Sequence, residues 1–330
     1  MIILVTGGLG FIGSHTVVEL LKSHTVIILD NLSNAKESVM ENILKITPSK
    51  LVHFVRGDVG NESLLNAIFT VHSIDLVIHF AGLKSVSQSV SQPIHYYEHN
   101  LGITLTLLKV MQKFKCKSII FSSSATVYGS SPSPVSETDP VGIGITNPYG
   151  QTKFMQEQIL KDLYKADATW TIIILRYFNP AGAHESGLLC EDPNDIPNNL
   201  MPFVLKVGDK IYPQLTIFGS DYETPDGTGV RDFIHVVDLA RGHVKCIDLV
   251  GKMGLYIYNL GTGKGNSVKQ IVDTFQQVNN IKIPFIYGNR RVGDLAISYA
   301  NTDLIKKELG WYATRGLEEI CSDSWRAFHL

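Results

Sequence analysis

Tyr149 and Lys153, four residues apart in the segment NPYGQTK, are the pair in this sequence best suited to moving a proton. On a helix, side chains at that spacing share one face. A free phenol titrates at about 10 and is a poor base at neutral pH. A neighbouring ammonium favours the phenolate and lowers that value, so the spacing predicts Tyr149 as a proton acceptor. The plainer alternative is a tyrosine packed at a helix start beside a solvated lysine, because this spacing is common. Upstream, Ser122, Ser123 and Ser124 close the apolar run SIIF. Their hydroxyls are expected at the carboxyl end of a strand, where open parallel sheets bind ligands.

A second constellation lies in VTGGLGFIGSH, where Gly7, Gly10 and Gly13 separate an apolar run from a helical pattern that begins near Phe11. A strand, a glycine turn and a helix start in that order offer free backbone N–H groups and the positive helix end to a pyrophosphate. The next apolar run ends in Asp30, placed to accept hydrogen bonds from an adenosine ribose. No Arg or Lys follows it directly, which favours NAD over NADP. The alternative is a tight structural turn with Asp30 as its cap.

These groups need a scaffold, and the apolar pattern supplies one. MIILVT, TVIILD, LVHFVRGD, DLVIHFAG, KSIIFSSS and WTIIILRYFN are rich in Ile, Val and Leu without alternation, as strands buried on both faces should be. Helical periodicity runs through 93–114 and 148–166. The fold class expected is α/β, a doubly wound parallel sheet of the Rossmann type with a smaller C-terminal α/β domain. The division is expected at 1–178 for a cofactor domain and 179–330 for a substrate domain. Helical stretches are expected at 236–249, 267–278 and 316–328, and the segment near 235–250 can pack back on the first domain. The Ser/Pro-rich stretch around 122–140 is expected as a loop leaving a strand end.

Composition narrows the function classes. The chain has 330 residues, 44% apolar and 18% charged, with a net charge of −2 and no basic run. Nucleic-acid and anionic-membrane binding are therefore disfavoured. Cys116, Cys190, Cys246 and Cys321 stand far apart with no CxxC pair, so no metal site or disulfide framework is suggested. With neither a signal-peptide pattern nor a membrane-length apolar stretch, a cytoplasmic protein is expected.

Taken together, the glycine motif, the serine and the downstream YxxxK resemble the extended short-chain dehydrogenase/reductase superfamily. RYFNPAGAH, NNLMPFV, LTIFGSDYETPDGTGVRDFIHVVDLA, YNLGTGKGNSV and NRRVGDLA narrow the resemblance to the UDP-glucose 4-epimerase family, almost end to end. That resemblance implies Tyr149 as acid/base, Lys153 also holding the nicotinamide ribose, and Ser124 orienting the reacting hydroxyl. It implies NAD held by Gly7, Gly10, Phe11, Ile12, Gly13, Asp30, Asn31, Asp58, Val59, Phe80, Ala81, Gly82, Lys84, Asn100, Tyr149, Lys153, Tyr177 and Phe178. It implies a UDP-sugar held by Lys84, Ser124, Tyr149, Asn179, Asn199, Leu200, Thr216, Phe218, Arg231, Phe233, Val268, Arg291, Asp294 and Ser298. Arginines suit a diphosphate because their guanidinium groups make charge-assisted fork contacts. The alternative is that Arg231 beside Asp232, and Arg291 near Asp294, are structural ion pairs.

The reaction implied is reversible C4 epimerisation of UDP-glucose and UDP-galactose through a 4-keto sugar, with tightly bound NAD and a homodimeric assembly. Two residues depart from the common bacterial pattern, Phe233 in place of a tyrosine and Val292 in place of an acid. A nucleotide-sugar dehydratase of the same superfamily would need an Asp-Glu pair after the serine, where Ala125 and Thr126 stand. Uronic-acid epimerases and a catalytically silent NAD-binding protein are the remaining alternatives. Ser298 falls where the family has a pocket-wall residue, tyrosine in enzymes restricted to glucose and galactose. A serine there implies room for N-acetylated UDP-sugars, unless Tyr299 fills the gap.

Overall fold

The computed structural model describes residues 1–330 except 50, 193–198 and 292, so Val292 lies outside the described residues. Six of the apolar runs form parallel strands, Ile2–Thr6, Thr25–Asp30, Val52–Arg56, Leu76–His79, Ser118–Ser124 and Thr171–Tyr177. A seventh, Gly254–Leu260, joins the edge beside Thr171–Tyr177 in parallel register. From that edge the order runs through Thr171–Tyr177, Ser118–Ser124, Leu76–His79, Ile2–Thr6 and Thr25–Asp30 to Val52–Arg56. The order reverses on either side of Ile2–Thr6, which makes a crevice at the carboxyl ends of the strands.

Burial on both faces explains why the strands lack alternation. Ile3 and Val5 join one core with Val17, Leu20 and Leu239, while Leu4 joins another with Leu107, Met111 and Leu160. The helices Phe11–Leu20 and Val236–Cys246 pack together on the first side. Pro93–Lys113 and Pro148–Ala166 pack together on the second. A third core, around Val204, Ile217, Ile271, Phe275 and Ile320, belongs to the C-terminal half. Chain beyond residue 179 thus supplies both the edge strand and a helix of the sheet layer.

Local sequence sets where the catalytic helix starts. Asn147 caps it by accepting from the Gly150 N–H at 2.8 Å, and Pro148 takes the first position. Tyr149 is therefore held in the first turn, with Lys153 one turn on. Ser124, whose hydroxyl accepts from the Thr126 N–H at 3.2 Å, ends its strand in a short 3₁₀ turn over Ala125–Tyr128. Among the described residues no helix is long and apolar enough to cross a membrane.

Candidate active site

The glycine turn is shaped partly by the protein's own backbone. Gly7 has φ +69°, and a Cβ there would lie 2.8 Å from the Ala81 nitrogen. At Gly13 a Cβ would stand 2.3 Å from the Gly7 carbonyl oxygen. Gly10 differs, because its Cβ would meet only that same oxygen, at 3.3 Å. No side chain caps the helix that starts at Phe11, and no acidic residue occupies its first turn. The amides of Phe11 and Ile12 and the positive helix end are thereby left to an external anion.

Asp30 ends its strand beside this turn. Its carboxylate accepts from the Leu9 N–H at 3.0 Å and the Leu32 N–H at 2.9 Å, so it also caps the turn, as the structural alternative holds. Burial raises its pKa, and the two amide bonds oppose that rise. Next to it the Asn31 amide donates to Asp58 at 2.7 Å, whereas Val59 is buried in the core. The loop of Phe80, Ala81 and Gly82 hangs from Thr6, whose carbonyl accepts from the Phe80 and Ala81 N–H groups at 3.0 and 3.1 Å. Asn100 fixes the same loop by accepting from the Leu83 N–H at 2.8 Å, and donates to Thr152 on the catalytic helix at 3.0 Å.

Tyr149, Lys153 and Ser124 meet at the carboxyl edge of the sheet. Lys153 is 5% exposed, donates to the Ser122 carbonyl at 2.6 Å and stands 6.0 Å from the centre of the Tyr149 ring. Burial lowers its pKa to about 8, against the raising effect of Glu157. Burial pushes the Tyr149 phenol up to about 12, and the Ser124 hydroxyl beside it pulls the other way. The net shift is therefore opposite in sign to the lowering expected of a neighbouring ammonium. Removal from water is the largest cause, and the Lys153 ammonium donates its hydrogen bond to the Ser122 carbonyl. Tyr177 and Phe178 are buried beside the site, and the Tyr177 hydroxyl is hydrogen-bonded to His243 on the helix Val236–Cys246.

Residues expected to hold the nucleotide fall into three groups. Arg231 and Ser298 face each other across a parallel strand pair, and Arg231 Nη2 lies 2.6 Å from Asp294. The ion-pair alternative holds in part, with the partner changed. Asp232 is instead buried, accepting from the Thr262 N–H at 2.8 Å and the Thr262 hydroxyl at 2.6 Å. Second, the Arg291 guanidinium covers the ring of Phe218, 4.2 Å from its centre, on the strand that also carries Thr216. Third, Asn199 precedes the helix that starts at Leu200 and donates to Glu191 at 2.6 Å. Glu191 also takes Lys84, at 3.2 Å, so it ties a residue expected at the cofactor to one expected at the nucleotide.

Not every expected residue presents its side chain. Asn179 is exposed and pairs with Phe233, but the Phe233 ring is buried in the third core. The Val268 N–H is bonded to the Gly229 carbonyl at 3.0 Å at the start of a helix.

Comparison with known proteins follows the same lines. The NAD dependent epimerase/dehydratase family matches residues 3–261. The UDP-glucose 4-epimerase of Pasteurella multocida is 55% identical over 328 residues, covering 98% of this chain and 96% of its own. That of Bacillus subtilis is 52% identical over 329 residues, with 99% and 96% covered. The crystal structure of the Bifidobacterium longum UDP-glucose 4-epimerase in complex with NAD+ and UDP superposes with a TM-score of 0.96. Its sequence is 50% identical, and the match covers 99% of this chain and 98% of that one.

Proposed function

Because the chain belongs to the NAD dependent epimerase/dehydratase family and, within it, to the UDP-glucose 4-epimerases, it epimerises UDP-glucose at C4, and we propose how its residues divide that work. Residues 1–178 hold NAD and residues 179–330 the UDP moiety. The open flank of Gly10 and the uncapped helix start suit the cofactor's pyrophosphate, and Asp30 suits a ribose. Phe11, Ile12, Gly13, Asn31, Asp58, the loop 80–84, Asn100, Tyr177 and Phe178 line the rest of that site. When bound, NAD supplies a reversible hydride acceptor at the sugar's C4.

Tyr149 moves the proton. It takes the proton of the 4-hydroxyl and returns it after the sugar has presented its other face. Burial opposes the phenolate, so this role needs the charged form of Lys153 close by. Ser124 orients the 4-hydroxyl from the end of its strand. Arg231 and Arg291 neutralise the diphosphate, with Asp294 and Phe218 holding their guanidinium groups in place. The observation that carries this reading is the meeting of Ser124, Tyr149 and Lys153 at the same carboxyl edge of the sheet as the glycine turn, on elements fixed by caps and buried contacts. A coupled assay for UDP-glucose formed from UDP-galactose tests it, and a folded protein that forms none contradicts it.

The assembly proposed is a homodimer in the cytoplasm. Val90, Ile94, Leu105 and Met155 are exposed apolar side chains on helices that lie side by side. All four cysteines are free thiols, which suits a reducing compartment.

A further inference from the structure

Behind the three reacting side chains lies a buried ion pair. Glu157 is 0% and Arg176 1% exposed, although Arg176 sits in the run TIIILRY, otherwise free of charge. Two hydrogen bonds join them, Arg176 Nε to Glu157 Oε1 at 3.0 Å and Arg176 Nη2 to Oε2 at 2.7 Å. Glu157 Oε1 also accepts from the Ser123 hydroxyl at 2.6 Å, and Arg176 Nη1 donates to the Tyr128 hydroxyl at 2.9 Å. Tyr128 in turn donates to Asn259 on the edge strand at 2.7 Å.

The placement is what gives this network a role. Glu157 is one helical turn beyond Lys153 and two beyond Tyr149, on the same helix. Ser123 lies between Ser122, whose carbonyl takes the Lys153 ammonium, and Ser124. Arg176 directly precedes Tyr177 and pairs in register with Ser123. A single carboxylate therefore binds the helix that carries the base to both strands that face it. Buried ion pairs are weak sources of net stability, because apolar residues of similar volume often replace them without loss. Their fixed bidentate geometry, by contrast, defines one register.

We propose that Glu157 is a positioning residue for proton transfer, setting the Tyr149 phenol against the Ser124 hydroxyl by holding Ser123 and Arg176 at once. This rests on the epimerase reading above. A displacement of about 1 Å at the reacting atoms lowers turnover by on the order of 10²-fold. Glu157→Gln keeps the shape of the side chain but loses the paired fork to Arg176. In the full-length variant, with bound NAD and melting temperature measured first, kcat for UDP-galactose is expected to fall roughly 10- to 100-fold. KM and the Kd for UDP should stay within about 2-fold, a split that general loosening of the fold would not give.

A folded, NAD-loaded Glu157→Gln with the parent kcat, or with kcat and UDP binding lost together, overturns the proposal. Should that variant fail to fold, Ser123→Ala removes only the strand-side bond. It is expected to lower kcat several-fold with KM unchanged, and the parent kcat would overturn the proposal. Parent protein inactive in the same assay would instead overturn the epimerase reading.

Discussion

The Lys153 ammonium donates a hydrogen bond to the Ser122 carbonyl at 2.6 Å and so ties the catalytic helix to the strand that ends in Ser124. The same cation stands 6.0 Å from the centre of the Tyr149 ring. With burial pushing the phenol up to about 12, loss of that charge makes the phenolate less favourable still. Lys153→Ala should therefore move the acid limb of the kcat/KM profile to higher pH. The sign follows because removing a cation raises the pKa of a neighbouring acid. A pH series of initial rates checks this, and an unmoved limb would show that Lys153 does not tune the base.

In the parent protein the lysine itself sets an upper bound. Burial lowers its pKa to about 8, so initial rates are expected to fall as pH rises through that region, read from the basic limb of the same pH series.

The glycine turn separates two kinds of constraint. Gly13→Ala forces a Cβ within 2.3 Å of the Gly7 carbonyl oxygen and should destabilise the fold by about 1–3 kcal/mol, read as a lowered melting temperature. Gly10→Ala meets the protein only at 3.3 Å and should leave the fold intact while reducing the NAD retained on purification. Equal NAD content in Gly10→Ala and the parent would show that the cofactor does not approach that flank.

Ser298 and Tyr299 are neighbours with separate surroundings. Ser298 stands opposite Arg231 in the strand register, whereas the Tyr299 ring lies over Gly265, where a Cβ would be 3.2 Å away. The protein is accordingly expected to interconvert UDP-N-acetylglucosamine and UDP-N-acetylgalactosamine as well. Ser298→Tyr should suppress this by filling the wall while sparing UDP-galactose. Parent protein inert toward UDP-N-acetylglucosamine, while active on UDP-galactose, would contradict the open wall.

Much of the sheet was legible because strands buried on both faces leave unbroken apolar runs. Gly254–Leu260 left no such run, since only its last three residues are buried and its aromatics are polar-tipped. The helices near 93, 148 and 268 were legible from their periodicity, and in the structure Pro148 and Ser267 stand at the starts of two of them. Spacing pointed to the glycine turn, Asp30, the serines that end a strand, Tyr149 and Lys153, whereas the other expected site residues came from the family resemblance. Glu157 and Glu191 could not be located by spacing, because a carboxylate on a helix or loop ordinarily faces water and its partners are distant in sequence. Arg176 did leave a trace, a lone charge in a buried strand. The pairing of Arg231 with Asp294 rather than Asp232 is a matter of strand register, which the local sequence does not state.

The most direct measurement follows purified protein with UDP-galactose and no added NAD by NMR, alongside absorbance of reduced cofactor. UDP-glucose should appear without accumulation of reduced cofactor, because the hydride that bound NAD would take from C4 is given back in the same turnover while Tyr149 returns the proton. Tyr149→Phe, folded and still binding UDP, should slow this by about 10²-fold to 10⁴-fold. Near-parent turnover in that variant, or UDP-galactose consumed only with stoichiometric cofactor reduction, would contradict the account.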